Sequence, residues 1–181
     1  MRLFIAIPLS PAVKAKLCKL YEPLENIRWQ PAQQLHLTLR FIGEAQEQER
    51  KIIQEKLEGV HQASFEWVMQ GVRSFPEKGS PKIIWVGIQK NESLLHLYKA
   101  IKQCCAGRGY ETSKRRFQPH ITIGRVKGTP LKKVRTFLNR HKNWGPETMQ
   151  VQAFGLFASR LNPEGAVHET LKRYLLKKNK P

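Results

Sequence analysis

Apolar and polar positions alternate through LFIAIPLS (3–10) and again through IWVGIQKN (84–91), the period of a strand with one buried face. Each run leads into a helical pattern. Ser10-Pro11 reads as an N-cap with proline in the first helical turn, and Leu17, Leu20, Tyr21 and Leu24 follow at helical spacing. In the later copy Asn91 takes the capping position, and Leu94, Leu97, Tyr98, Ile101 and Cys105 share one face, with an end near Gly107. Two more strand-like phrases come next, HLTLRFIG (36–43) and HITIGRVKG (120–128), and a helix is predicted after each, EQERKIIQEKLEGV (47–60) and TPLKKVRTFLNRH (129–141). Thr129-Pro130 repeats the cap-then-proline start. A third strand, FEWVMQGVRSF (65–75), matches MQVQAFGLFAS (149–159) with Gly71 over Gly155, and AVHETLKRYLL (166–176) supplies a further one.

The chain is thus a duplication, with repeats spanning roughly 1–80 and 81–181 of its 181 residues. Each repeat runs strand, helix, strand, helix, strand, which predicts an α+β fold of two lobes related by a pseudo-twofold axis, each burying a face against the other. No Gly/Ser-rich linker or low-complexity tract divides them, so 1–181 is expected to be one compact unit. The opening MRLFIAIPLS is short and broken by Pro8, and reads as a first strand instead of a targeting segment. No apolar run approaches the roughly 18–20 residues needed to span a bilayer.

Charge changes the picture most. Lys and Arg number 32 against 14 Asp and Glu, a formal net charge of +18 that favours a polyanionic partner. Basic residues cluster at 113–117, at 131–135 and in the tail at 177–180. The 3 cysteines, Cys18, Cys104 and Cys105, form neither an even disulfide set nor a zinc-type pair, and fit reduced thiols on helices in a cytoplasmic protein.

Candidate chemistry lies in the duplicated phrases. Residues i and i+2 of a strand point the same way, so His36 and Thr38 share a face, as do His120 and Thr122. Brought together across a groove, two hydroxyls can hold a phosphate between two imidazoles. One imidazole then deprotonates an attacking water and the other protonates the leaving oxygen. No P-loop pattern or adenylation-type lysine motif accompanies them, so neither ATP nor any other cofactor is expected. A metal bound to His36 and His120 would want a third ligand, and neither phrase brings one. A third His-x-Thr, His168–Thr170, falls outside the duplicated pattern and is set aside. His61, His96 and His141 stand singly on or beside helical stretches, where surface or packing roles are the default.

LHLTLRFIGE (35–44) and FQPHITIGRV (117–126) resemble the paired motifs of the two-histidine (2H) phosphoesterases, closest to the RNA 2′,3′-cyclic phosphodiesterases also named 2′-5′ RNA ligases. RLFIAIPLS, PKIIWVGI and LFASRLNPEGAVHETL extend the likeness over nearly the whole chain. The resemblance implies antiparallel sheets facing across a central groove with helices outside. It implies hydrolysis of an RNA terminal 2′,3′-cyclic phosphate to a 2′-phosphate, with 2′-5′ joining as the related reverse reaction. It assigns His36 as proton donor to the leaving 3′-oxygen, His120 as proton acceptor from water, and Thr38 and Thr122 as phosphate ligands. Arg125 matches an arginine of the second motif, although strand parity turns it away unless a bulge at Gly124 intervenes. By the same parity Arg40 shares the face of His36 and Thr38 and is the better phosphate neighbour. Phe41 and Phe117 offer rings for base stacking, or for core packing. An aromatic residue, often Tyr, is expected where His168 falls. The implied partner is RNA with a cyclic phosphate end, tRNA-like fragments among the candidates; no membrane and no obligate protein partner is indicated. Two other readings fit the same residues: a basic RNA-binding module without turnover, and a phosphodiesterase of small cyclic nucleotides or 2′-5′ oligonucleotides.

Overall fold

A computed structural model describes residues 1–77, 80–106, 116–162 and 165–178. The chain runs β1 (Arg2–Pro8), α1 (Pro11–Cys18), β2 (Ile27–Trp29), a 3-10 turn (Ala32–Gln34), β3 (His36–Glu44), α2 (Glu47–Glu58), β4 (Phe65–Glu77), β5 (Ser80–Ile88), α3 (Glu92–Cys104), β6 (His120–Val126), α4 (Leu131–His141), β7 (Glu147–Val151), β8 (Ala153–Asn162) and β9 (Gly165–Leu175). The predicted α+β architecture is present. All the strands lie in one antiparallel sheet, ordered β7-β4-β5-β6-β3-β1-β8-β9 with β2 paired to β6, and it curls into a half-barrel. That order is a palindrome about the β6–β3 junction, so the two lobes are the four-strand halves on either side. Each lobe mixes both repeats. β4, from the first, pairs with β5 of the second, and β8, from the second, pairs with β1 of the first.

Strand alternation decides which side is core. Leu3, Ile5 and Ile7 of β1, Leu37 of β3, Ile84 and Val86 of β5 and Ile121 of β6 point to one face and are essentially inaccessible to solvent. There they pack on Leu17 of α1, Ile53 and Leu57 of α2, Leu97 and Ile101 of α3, and Val134 and Phe137 of α4 in a single cluster. All helices therefore cover the outer face. The intervening residues line the inner, concave face, and there the groove lies.

Local signals explain most helix ends, with two differences from expectation. The Ser10 hydroxyl accepts from the Val13 amide (3.3 Å) and Asn91 Oδ1 from the Leu94 amide (2.9 Å), as capping residues should. α1, however, stops at Cys18. Pro23 disfavours helix at Glu22, and Leu20 and Tyr21 instead close successive turns onto Leu17 and Cys18. Thr129 caps nothing. α4 starts at Leu131 behind Pro130, and the Thr129 hydroxyl donates to the Glu25 carbonyl at 2.5 Å. α3 ends at Cys104 with Cys105 as its cap, just short of the expected end near Gly107, while residues 113–115 of the basic run 113–117 and the tail beyond residue 178 lie outside the described residues.

Pairing also shifts the repeat alignment. Pro8 lies opposite His36 and Gly87 opposite His120, which equates Pro8 with Gly87 and not with Gln89, its partner in the sequence match. A slip of two residues preserves which side chains face in, so apolar alternation alone does not detect it.

Candidate active site

β3 and β6 meet through one directly paired couple, Leu37 and Ile121, both pointing into the core. Carried one residue either way, this antiparallel register sets His36 toward Thr122 and Thr38 toward His120 on the groove face. Each histidine thus faces the other repeat's threonine around a pseudo-dyad. The four predicted side chains are brought together where the two lobes join.

The imidazoles are held alike. His36 Nδ1 lies 2.6 Å from the Gln34 carbonyl oxygen and His120 Nδ1 lies 2.7 Å from that of Gln118. A carbonyl only accepts, so each Nδ1 carries the proton and each Nε2 presents its lone pair to the groove. The Thr38 hydroxyl lies 3.1 Å from His36 Nε2 and donates to it. Burial, partly opposed by the Gln34 carbonyl, holds His36 down to about 4, and the nearby His168, Lys14 and His120 push the same way. Burial likewise lowers His120 against the opposing bond to Gln118, and lowers His168. Burial thus favours the neutral form of all three imidazoles.

Aromatic rings back both histidines. Phe4 packs against His36 (ring centroids 4.9 Å apart), and Phe157 stacks on Phe4 at 5.3 Å. On the other lobe Trp85 and Phe75 pack on His120 at 5.7 and 4.9 Å and stack on each other at 4.7 Å. His168, set aside from the sequence, belongs here: its ring meets His36 at 5.2 Å and Phe4 at 4.8 Å, both edge-on. Its strand is tied to the same corner, for the Gln34 side-chain amide donates to the Ala166 carbonyl. β9 pairs with β8, which pairs with β1, and this long-range pairing delivers His168.

Two β-bulges re-sort the remaining candidates. Thr38 lies opposite Ala6 and Arg40 opposite Ile5, leaving Leu39 extra; Thr122 lies opposite Trp85 and Gly124 opposite Ile84, leaving Ile123 extra. Each bulge follows its threonine directly and reverses parity. Arg40 is therefore turned to the core face, contrary to the expectation from simple alternation. It is 8% exposed and lies beside Cys105, the residue that follows α3, whose thiol it pulls down against the larger effect of burial. Arg125, three residues beyond Thr122, comes onto the groove face instead, and so does Phe41, three beyond Thr38. Phe41 is 61% exposed, 6.2 Å from Phe4, with a face available to a ligand. Phe117 is otherwise engaged, its ring stacked at 3.9 Å on Tyr98 of α3. Of the single histidines, His141 bonds Glu22 at 2.8 Å and packs on Phe137 in the core.

The family profile described as "2′-5′ RNA ligase superfamily" matches residues 14–162. A Thermotoga maritima protein named RNA 2′,3′-cyclic phosphodiesterase is 32% identical over 94% of this chain and 93% of its own length. Among solved structures, TT0787 of Thermus thermophilus superposes with a TM-score of 0.84 at 26% identity, covering 99% of this chain and 100% of that one. Escherichia coli LigT complexed with 3′-AMP gives 0.79 at 25% identity, with 97% of both chains covered.

Proposed function

The chain belongs to the 2′-5′ RNA ligase superfamily, and on that footing we propose that it hydrolyses the terminal 2′,3′-cyclic phosphate of RNA to a 2′-phosphate, without metal or ATP. The observation that carries this is the quartet His36, Thr38, His120 and Thr122 around the β3–β6 pseudo-dyad. The cyclic phosphate sits between the two threonine hydroxyls, with Arg125 as a further phosphate ligand. His120 Nε2 takes a proton from water as its oxygen attacks phosphorus. The bond from phosphorus to the 3′-oxygen breaks, and His36 Nε2 gives that oxygen a proton. One water is consumed, and a 3′-hydroxyl and a 2′-phosphomonoester result. The phosphodiester anion changes the protonation balance: a negative charge between buried imidazoles favours one imidazolium. Held donors and acceptors then stabilise the transition state without reorganisation. The terminal base stacks on Phe41, and joining of a 5′-hydroxyl RNA through a 2′-5′ bond follows the same steps, with His120 taking the proton of the 5′-hydroxyl as that oxygen, in place of water, attacks phosphorus. A cytoplasmic location fits this substrate; among the described residues no helix is long and apolar enough to cross a membrane.

Turnover of an RNA oligonucleotide ending in a 2′,3′-cyclic phosphate, with EDTA present, tests the proposal. A phosphatase-sensitive 2′-phosphate product, lost in His120→Ala, is expected; no turnover by the wild type would overturn it.

One observation favours exchanged histidine roles. His36 is the more deeply buried and has His168 beside it, which leaves His120 the readier holder of a proton. A substrate with sulfur in place of the 3′-oxygen has a leaving group that needs no acid. Rescue of His36→Ala on that substrate keeps the roles as written, and rescue of His120→Ala instead exchanges them.

A further inference from the structure

The two lobes carry similar scaffolds but different side chains beside the motifs on the groove face. Three residues past its threonine, the His36 lobe has Phe41 and the His120 lobe has Arg125. Beside the threonine's cross-strand neighbour, the His36 lobe has Gly155 (opposite Ala6) and the His120 lobe has Arg73 (opposite Trp85). The Arg73 guanidinium lies 5.9 Å from the centre of the Trp85 ring that backs His120. Arg28 of β2 stands directly opposite Arg125, bringing a third guanidinium to the same surface. On the His36 lobe the corresponding surface holds the packed rings of Phe4, Phe41 and Phe157, and its cation, Arg173, stands one strand further out, opposite Gly155.

Among the described residues no carboxylate forms an ion pair with Arg73 or Arg125. The groove face from His36 to Phe41 and from His120 to Arg125 carries none either. With strands about 4.8 Å apart and about 3.3 Å per residue, the Cα atoms of Arg73 and Arg125, two strands and two residues apart, are separated by roughly 12 Å. Long guanidinium side chains spread over that distance suit a chain of phosphates more than a single one.

We propose that Arg28, Arg73 and Arg125 form a track for the backbone phosphates of single-stranded RNA, running from the catalytic phosphate over the His120 lobe. This rests on the proposed function for the identity of the ligand, and it adds Arg28 and Arg73 as binding residues. The phosphates belong either to the strand ending in the cyclic phosphate or to a second strand approaching with a 5′-hydroxyl.

Fluorescence anisotropy against salt decides it, using two labelled decamers. One ends in a 2′,3′-cyclic phosphate; the other has a 5′-hydroxyl and a 3′-deoxy end. For single strands the slope of log K against log salt falls by about 0.7 for each phosphate contact removed. Arg73→Gln and Arg28→Gln are each expected to lower the slope by about that amount, and Arg73→Lys to restore it. Lys133→Gln, on the outer surface of α4, serves as the control for loss of charge alone. A reduced slope with the cyclic-ended decamer assigns the track to the substrate strand, and with the 5′-hydroxyl decamer to a second strand. Slopes matching the Lys133 control with both decamers would overturn the proposal. Product formation from the cyclic-ended decamer, read in parallel, separates the two claims. Lowered slopes without turnover would sink the hydrolytic proposal alone, and turnover with unchanged slopes would sink the track alone.

Discussion

His36 and His168 meet edge to face, their ring centroids 5.2 Å apart at 86°, although 131 residues lie between them in the chain (37–167). The contact makes the two otherwise matched histidines of the proposed site unequal, since His120 has phenyl and indole rings around it where His36 has a phenyl ring and an imidazole. His168→Ala removes edge contacts to both His36 and Phe4. It is expected to cost about 1 kcal/mol of stability in urea unfolding and to lower kcat. His168→Phe keeps the ring and should recover most of both. Equal losses in the two variants would mean that the nitrogen atoms of His168, and not its shape, are what the site uses.

Under the proposed mechanism, removing the imidazole of His36 or of His120 is expected to reduce kcat by about 10²–10⁴-fold on the cyclic-ended RNA while leaving the circular dichroism spectrum unchanged. Groups that act in one transition state are not additive, so His36→Ala combined with His120→Ala should fall little below the worse single variant. A double variant that loses the product of the two factors would show that the histidines act independently.

The protonation state of His36 also bears on stability. Its folded value of about 4 lies below its ordinary 6.5, so between these pH values the unfolded chain binds a proton that the folded protein refuses. The contribution is present above pH 6.5 and is lost as pH falls toward 4. A shift of that size corresponds to at most about 3 kcal/mol. His120 and His168, lowered in the same direction, add with the same sign. The midpoint of urea unfolding should therefore drop from pH 7 to pH 4.5 by more in the wild type than in His36→Gln. Parallel drops would contradict the burial of a neutral His36.

The bulges separate two arginines that a flat strand would confuse. Arg40 is buried, and its Nε has no hydrogen-bond partner among the described residues. Replacing a buried, poorly paired cation by a similar apolar volume is often neutral or stabilising, so Arg40→Met should keep the urea midpoint and change kcat/KM by less than about threefold. Arg125→Gln should raise KM for cyclic-ended RNA about tenfold, the scale of a lost charged hydrogen bond. If Arg40→Met carried the KM effect instead, the assignment of faces would be wrong.

How much of this was legible beforehand depended on distance along the chain. His36 with Thr38, and His120 with Thr122, could be paired because a strand's period of two is local and fixes their common face. The strand at 3–10, the caps at Ser10 and Asn91, and the helices after each motif followed from equally local chemistry. A bulge adds one residue without a distinctive composition, so Arg40 was expected on the wrong face and Arg125 only conditionally on the right one. The anchoring carbonyls were in plain sight, since Gln34 and Gln118 stand two residues before their histidines. His168 was out of reach of local patterns, because nothing near it in the chain says that β9 lies two strands from β1; the one pointer was the resemblance, which expects an aromatic ring at that position.

The exchange of β4 and β8 between lobes bears on what the repeat can be by itself. A fragment of the second repeat would carry β5 and β6 without β4, leaving one edge of β5 unpaired where Trp85 and Val86 now bond across to their neighbours. The first repeat by itself would leave β1 open on the side that β8 closes. Neither copy closes its own part of the sheet. A single-copy form of this sequence would be complete only as a pair of chains, each lending its third strand to the other. Linking the two copies in one chain turns that association from a concentration-dependent event into an intramolecular one.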